Sequence, residues 1–600
     1  MSSIRAARPD VPPQASHRVG PSLSRRAFAS TALGAGALAA LGPISISAAP
    51  SAPGTATASS VAAQDDIQTD VTVAMPLLPY GQAVTIDPHR TLNWGPFWTL
   101  LPHVWSGLLR FDKHGGVEAD LASNVESNED LTVWTATLRE GIAFANGTPV
   151  TAADFVASWK RALDPSALSP MSASMADVKG FADYTAGKGT AIGFEATNDT
   201  TVQITLEKGS AEFPFRLAAF VWAVVDPAVL ADASIADPFL AASGAGAWQF
   251  TEFVAGDHLT MTPNTHYWEP QSPSIAAVTW PIIDGADAEA TALERYKSGE
   301  LASADVPLAL ADSVNGDDTL KGQLVSIEQP GSTLAIGMDF LQAPFNDPRV
   351  RQAIAAAVDR SSWATTTWQG SFAPADGLTS PAAAAVDGYT PPNGSPFDAN
   401  KAKSLLAEAG FDPATTAVEI VYHQPTTDSP EDQQRAADLL KMIQDNAGIV
   451  ISHDTTLPTD QIASLQRDNG GRQFDIVWWW PDIASPTFLD TVASPTSPFM
   501  DGWFNWSPEL AKVGDLDPGA NARQFSDLVS GALTNGQKDA RNQVLQQAEK
   551  ILLDDAVYIP LGYWVQRYVQ QPWLQGTQQG AWTGRIPLRF DSNVVVRGKP

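Results

Sequence analysis

Six hundred residues with 44% hydrophobic and 17% charged side chains and 19 tryptophans describe a folded chain of several domains rather than a disordered one. A formal charge of -29 speaks against a nucleic-acid partner, whose phosphates need clustered Lys and Arg. Zero cysteines leave no disulfide, zinc-thiolate site, thiol catalysis or lipid-bearing cysteine, and the eight histidines include no His-Glu-x-x-His and no close pair at helical spacing, so neither a metal nor another cofactor is expected.

The chain opens with Arg5, Arg8 and Arg18 among prolines, then Ser24-Arg25-Arg26-Ala27-Phe28 and an apolar, small-residue run from Ala29 to Leu41. A basic start, a twin arginine and a moderately apolar segment make a twin-arginine export signal, a route that carries folded proteins across a membrane. Ala56-Thr57-Ala58 and Val61-Ala62-Ala63 are both open as the cleavage point, and residues 1–63 are expected to be signal and flexible leader. Retention of the signal as a weak anchor is the alternative. The longest later apolar run, Leu217 to Val225, is half of what a membrane span needs. The protein is therefore expected in the periplasm or at the extracytoplasmic cell surface, without a lipid anchor.

Val71 to Met75 reads as the first strand of the folded body, Ile86-Asp87-Pro88-His89-Arg90 as a turn, and Val104 to Asp112 as an apolar stretch ending in a polar turn. Leu131 to Leu138 alternates as a strand. Asn146-Gly147 is a tight-turn pair, and Thr151 with Asp154 three residues on caps a helix over Ala152 to Leu163 that stops before Asp164-Pro165. Taken alone, that segment is a hairpin feeding a capped helix that holds a lobe together and touches no ligand.

Asp347-Pro348 starts a helix whose Val350, Ile354, Ala357 and Val358 recur at helical spacing, and Ala399 to Ala409 repeats the pattern before the stop signal Gly410. Strands then alternate with helices: Val418 to Tyr422, Ala436 to Ile443, Ile449 to Ser452, and the run from Phe474. That βαβ order implies an α/β lobe with ligands at strand ends. A helix over Asp539 to Leu553 precedes a strand at Val557 to Pro560, while Pro374 to Pro396 and Gly514 to Asn521 read as loops.

Phe474 to Asp490, FDIVWWWPDIASPTFLD, is the most informative stretch. Its aromatic and β-branched start reads as a buried strand, closed by Pro481-Asp482, that delivers Asp482 to its own end. On a strand Trp478 and Trp480 share one side and Trp479 takes the other, so the three rings cannot all fill one core. A carboxylate beside indole rings suits a ligand carrying a positive group and flat or apolar surface. The other reading is that all three rings are core and Asp482 caps the next segment.

Phe144 to Pro165, FANGTPVTAADFVASWKRALDP, closely resembles the signature of the family 5 extracellular solute-binding proteins of ABC importers, the group of oligopeptide and dipeptide receptors. Similar blocks in the family's order are Ile86 to Asp112, Gly244 to Trp248 with Asn264 to Trp268, Pro344 to Ala353, Lys401 to Phe411, and Ile559-Pro560-Leu561. The resemblance implies an α/β, two-lobed periplasmic-binding-protein-like fold of type II, of the large class with an extra subdomain. Two hinge strands would cross between the lobes just before Gly331 and near Ile559 to Trp564. On it, residues 64–106, 235–330 and 556–600 make lobe I, residues 107–234 the extra subdomain and residues 331–555 lobe II.

It further implies a Trp-x-x-Asp motif that holds a peptide's α-amino group. Trp479-Trp480-Pro481-Asp482, followed by Pro486, matches it. An extended peptide would pair along Trp478 to Trp480 and along Leu92-Asn93-Trp94 of the first lobe. The chain departs from the better-known oligopeptide pattern at Leu92 and Asn93, where a glutamate and a glycine are usual. With Trp94 and the tripled tryptophan the site is unusually aromatic, so an oligosaccharide stacked on indole rings, or another small solute, is the alternative within the fold. The expected protein is a monomeric, non-enzymatic receptor that captures a peptide or other small molecule by lobe closure and hands it to an ABC permease in the membrane. No Gly-x-Ser-x-Gly elbow, Ser-x-x-Lys or phosphate-cradling loop stands in the sequence, which leaves carboxylate-pair hydrolysis as a remote alternative.

Overall fold

The computed structural model describes residues 43–47, 67–79, 86–91, 100–112, 116–166, 168–231, 244–285, 287–381, 384, 388–412, 420–426, 428–458, 461–462, 474–479, 506, 510–577 and 589–600. The first element is a short strand, β1 (Ser45–Ser47), and β2 (Val71–Ala74) follows. Strands β3 (Ala122–Ser127), β4 (Val133–Leu138), β5 (Phe194–Asn198) and β6 (Thr201–Thr205) join β1 in an antiparallel sheet of order β1-β3-β4-β6-β5.

Helix α1 (Ala152–Ala162) packs on β5 and β6 with Phe155, Trp159 and Ala162 fully buried. Its start follows the expected cap: the Asp154 carboxylate accepts from the backbone N–H and the hydroxyl of Thr151, each at 2.8 Å. The preceding turn also forms as expected, with Gly147 at φ +85°, a conformation glycine adopts without strain.

A second sheet, β7 (Trp248–Val254), β8 (His258–Pro263) and β9 (Ile275–Pro281), adds β2 in parallel to β9. Both sheets share one core in which Trp105, Trp134, Trp159, Trp222, Trp248 and Trp280 are buried. So many large rings in one place explain much of the tryptophan content, because each buries a large apolar area.

After α2 (Ala288–Lys297) and β10 (Ser303–Asp305) comes the 15-residue strand β11 (Leu324–Met338). The chain continues through α3 (Pro348–Ala357), β12 (Phe372–Pro374), α4 (Ala399–Glu408), β13 (Ile420–His423), α5 (Pro430–Ala447) and β14 (Ile451–Asp454). Then follow β15 (Phe474–Trp479), α6 (Pro518–Leu533), α7 (Lys538–Asp554) and the 13-residue β16 (Tyr558–Gln570). These strands form one sheet of order β10-β16-β11-β15-β13-β14, with β12 paired to β16.

Strands β11 and β16 run antiparallel to each other through two different cores. At one end Leu324 faces Val569, packed with Leu293 and Tyr296 of α2. At the other end Leu334 faces Gly562 and Ile336 faces Ile559, packed with Val350 and Ile354 of α3. The two lobes are thus joined by two long strands, which pass through the residues expected for them. Between the cores the register breaks: Glu328 pairs with Val565 and Thr333 with Tyr563, so residues 329–332 stand opposite Trp564 alone. Such a bulge bends and twists a strand locally, and here it lies where the lobes must flex.

The helices of the second lobe end where their caps predict. Asp347 caps α3 by accepting from Arg349 N at 2.9 Å, and Gly410 takes φ +70° two residues past α4. Within residues 1–63, expected as signal and flexible leader, Ser45–Ser47 forms β1 and pairs with β3. Its alternation of isoleucine and serine is a strand pattern too short to stand out beside a run of small residues. Among the described residues no helix is long and apolar enough to cross a membrane.

Candidate functional site

Strand β15 sits inside the sheet, with Phe474, Asp475 and Val477 buried. Phe474 packs edge-on against Tyr422 and near Phe345, which fixes the strand's far end. Its backbone pairs with β11 from Phe474 opposite Met338 to Trp479 opposite Thr333. On the other side Tyr422 of β13 pairs with Phe474, and among the described residues no strand pairs with that side of Ile476–Trp479. Ile476 N donates to Asp475 Oδ1 at 2.8 Å; the other backbone groups of such an edge suit pairing with an extended chain.

Because β13 and β14 run parallel to β15, the carboxyl ends of all three point the same way, toward the hinge. That is the side on which open α/β sheets hold ligands. Two polar pairs stand at the ends of β13 and β14: His423 Nδ1 lies 2.8 Å from Asp454 Oδ2, and His453 Nε2 lies 2.8 Å from Gln424 Oε1. The His453 ring stacks on Tyr422 at 5.5 Å and 21°, and burial lowers its pKa.

Of the residues singled out in the sequence, Leu92, Asn93, Trp94, Trp480 and Asp482 lie outside the described residues. Trp478 and Trp479 are described by their backbone alone, opposite Leu334 and Thr333 of β11. The run does form a strand, as expected, and it ends beside the hinge bulge.

On the first-lobe side the segment leading into Leu92 is pinned to helix α1. Asp87 caps the short turn Pro88–Arg90 by accepting from His89 N at 3.0 Å. Arg161 of α1 donates to both Asp87 oxygens, at 3.0 and 2.6 Å, the two-pronged geometry a guanidinium favours. His89 is fully buried, with Nε2 3.2 Å from Ala223 O and Nδ1 2.7 Å from Arg161 Nη1. A guanidinium only donates, so Nδ1 accepts and Nε2–H points at the carbonyl. Burial, and next the Arg161 charge, push the His89 pKa down to about 4.

The second lobe holds both hinge strands through one loop. Thr333 Oγ1 of β11 donates to Leu378 O at 2.8 Å, and Tyr563 of β16 accepts from Gly377 N at 3.0 Å while donating to Gly377 O at 2.9 Å. Beneath the loop the fully buried Glu549 carboxylate accepts from Leu378 N (2.7 Å), Thr379 N (2.9 Å), Thr379 Oγ1 (2.9 Å) and Tyr389 OH (2.6 Å). Burial raises its pKa even against these donors. The sequence reading missed this clamp. Its signal was a glutamate on the apolar face of α7, four residues after Leu545 and three before Leu552.

A small cavity of about 60 Å³ lies elsewhere, inside the first lobe, lined among others by Trp105, Arg110, Trp248 and Arg589. Arg110 is bonded there to Glu118, Tyr267 and Glu269 at 2.8 to 3.0 Å, so its charge is matched by its own neighbours and the network reads as a core staple. Among the described residues no group of His, Asp or Glu side chains is placed to hold a metal.

The family model of the bacterial extracellular solute-binding proteins, family 5 Middle, matches residues 116–498. The dipeptide-binding protein DppE of Bacillus subtilis (strain 168) is 25% identical over 518 residues, covering 82% of this chain and 87% of its own. The periplasmic murein peptide-binding protein MppA of Escherichia coli (strain K12) is 27% identical over 510 residues, covering 82% and 88%. A solved structure of the murein tripeptide-binding protein MppA in its unliganded open form is similar in fold, with a TM-score of 0.72 at 24% identity over 88% of this chain and 98% of that one. With lobes, hinge strands and strand-end edge arranged as above, the chain belongs to the bacterial extracellular solute-binding proteins, family 5.

Proposed function

We propose that the protein is the extracytoplasmic receptor of an ABC importer, which captures a peptide between its lobes and hands it unchanged to a membrane permease. The observation that carries this reading is the edge of Ile476–Trp479, which no described strand pairs with and which adjoins the hinge, in a chain whose relatives are named for dipeptides and murein peptides. An extended peptide satisfies such an edge through its own main chain, which gives affinity without dictating side chains. Two connecting strands permit bending while keeping the lobes in register, so closure can bury the bound chain.

On this reading Asp482 takes the peptide's α-ammonium, and the peptide's main chain pairs along Trp478, Trp479 and Trp480 and along Leu92, Asn93 and Trp94 of the first lobe. The twin-arginine signal exports the folded protein, which acts as a monomer. Titration calorimetry with di- to pentapeptides is the test. Peptides are expected to bind and to be recovered intact, and Asp482→Ala is expected to weaken them on the order of 100-fold, about 3 kcal/mol for a buried ammonium left without its partner. Unchanged affinity in Asp482→Ala removes that residue from the site. Saccharides that raise the melting temperature where no peptide does overturn the peptide reading, and cleaved peptide overturns the non-enzymatic one.

A further inference from the structure

Strand β1 adds to the outer edge of the extra subdomain's sheet with Ser45 opposite Glu126, Ile46 opposite Val125 and Ser47 opposite Asn124. Ser127 N donates to Ile44 O at 2.9 Å, and Ile44 N donates to Ser127 Oγ at 2.9 Å. On the solvent side the hydroxyls of Ser45 and Ser47 reach Asn124 Oδ1 at 3.2 and 2.8 Å. On the other side Ile44 and Ile46 are half-buried against the first-lobe core, with Val125 fully buried opposite Ile46.

The Ile-Ser-Ile-Ser alternation therefore matches the inside and outside of this edge. A slip of one residue would turn both isoleucines to water, so the register is fixed by the sequence itself. Without β1 the sheet would end at β3, whose outer N–H and C=O groups and the Val125 side chain would lose their cover.

From this we propose that Pro43–Ser47 is a retained part of the working protein that closes the β3 edge, and that the export signal is removed on its N-terminal side. The processing half rests on the export-signal reading; the edge-closing half does not. A cut at Ala58 or Ala63 would sever the strand from the chain it covers. A chain exported already folded would carry the strand in place before any cut is made. The site on β3 is one that takes a short antiparallel strand with branched apolar residues alternating with small hydroxyl residues.

Two measurements test this. Mass spectrometry of the exported protein is expected to find a first residue before Pro43; a first residue at Ser59 or Gln64 overturns the retention. Separately, the chain beginning at Ala40 is compared with one beginning at Gln64. The shorter chain is expected to melt about 3 to 5 °C lower and to bind the N-acetylated peptide of residues 42–49, which lacks the α-ammonium a cleft ligand would offer. Ile46→Asp in the longer chain is expected to lower its melting temperature equally, and the same change in the peptide to abolish binding. Equal melting of both chains, or equal binding of both peptides, overturns the edge-closing role. A protein that is never exported fails the signal reading alone, because the comparison of the two chains still decides the strand.

Discussion

Replacing Glu549 by alanine is expected to cost the second lobe about 4 kcal/mol, and the figure follows from what the carboxylate holds. It accepts four hydrogen bonds where no solvent reaches: two from backbone N–H groups of Leu378 and Thr379, and two from the hydroxyls of Thr379 and Tyr389. Hydroxyls can turn toward other acceptors, but backbone N–H groups cannot. Two stranded N–H groups at roughly 1 to 3 kcal/mol each, with a smaller loss at Tyr389, give about 4 kcal/mol after relief from burying a charge. Glu549→Gln keeps the shape and one acceptor oxygen, so it should cost about 1 to 2 kcal/mol.

The pH dependence adds a second readout. Burial holds the folded-state pKa of Glu549 above its unfolded value, so ionisation opposes folding. The parent therefore gains stability from this group as pH falls through the raised folded pKa toward the unfolded one, and the glutamine variant lacks that gain. Urea unfolding followed by tryptophan fluorescence, with peptide affinity measured alongside, reads both effects. An alanine variant within about 0.5 kcal/mol of the parent, or a glutamine variant worse than alanine, would refute the clamp.

Arg161→Gln should cost about 2 to 4 kcal/mol by leaving the buried Asp87 carboxylate without its two-pronged partner, and it should weaken peptide binding in calorimetry. Arg161→Lys should restore little, because an ammonium cannot span both oxygens. His89, held down to about pKa 4, contributes stability that is fully present above the unfolded value of 6.5 and is lost as pH falls toward 4. The full loss is about 3 kcal/mol, about 2 of it between pH 7 and pH 5, and His89→Gln should flatten that part in urea midpoints taken at the two pH values. Gly246→Ala should prevent folding, since its Cβ would sit 2.4 Å from the Val104 carbonyl carbon and 2.5 Å from two carbonyl oxygens. Gly316→Ala, with nothing within 4 Å, should melt like the parent.

What was legible in the sequence was whatever a few consecutive residues decide. Thr151 and Asp154 announce α1, Asp347-Pro348 announces α3, and the alternation from Ile420 to Trp479 fixes which strand ends face the ligand side. Contacts between distant segments left no such trace. Asp87 and Arg161 are 74 residues apart, and each taken alone is an ordinary turn or helix residue. Strand β11 carries Pro330-Gly331, a pair that argues against a strand, and only the bulge at residues 329–332 reconciles it with pairing on both sides. In β16, Gly562 likewise reads as a break, yet a Cβ there would come within 2.9 Å of Phe372, so the glycine is what lets β12 pair at that point.

These long-range contacts decide where the molecule can bend. Each hinge strand is fixed in a separate core at either end, and on the second-lobe side Thr333 and Tyr563 are tied to a loop that Glu549 anchors to α7. Bending is therefore concentrated in residues 329–332 and their partner Trp564, where the ladder is already broken. The edge of β15 ends at Trp479, opposite Thr333, the first residue beyond that bulge. It lies almost at the fulcrum and moves little as the lobes rotate. The first-lobe segment ending at Thr91 is held by Asp87 and His89 to α1, so it travels with that helix as one piece. Closure thus carries a rigid first-lobe unit toward a nearly stationary strand edge. A bound chain stabilises the closed state by however many more hydrogen bonds it makes there than in the open one.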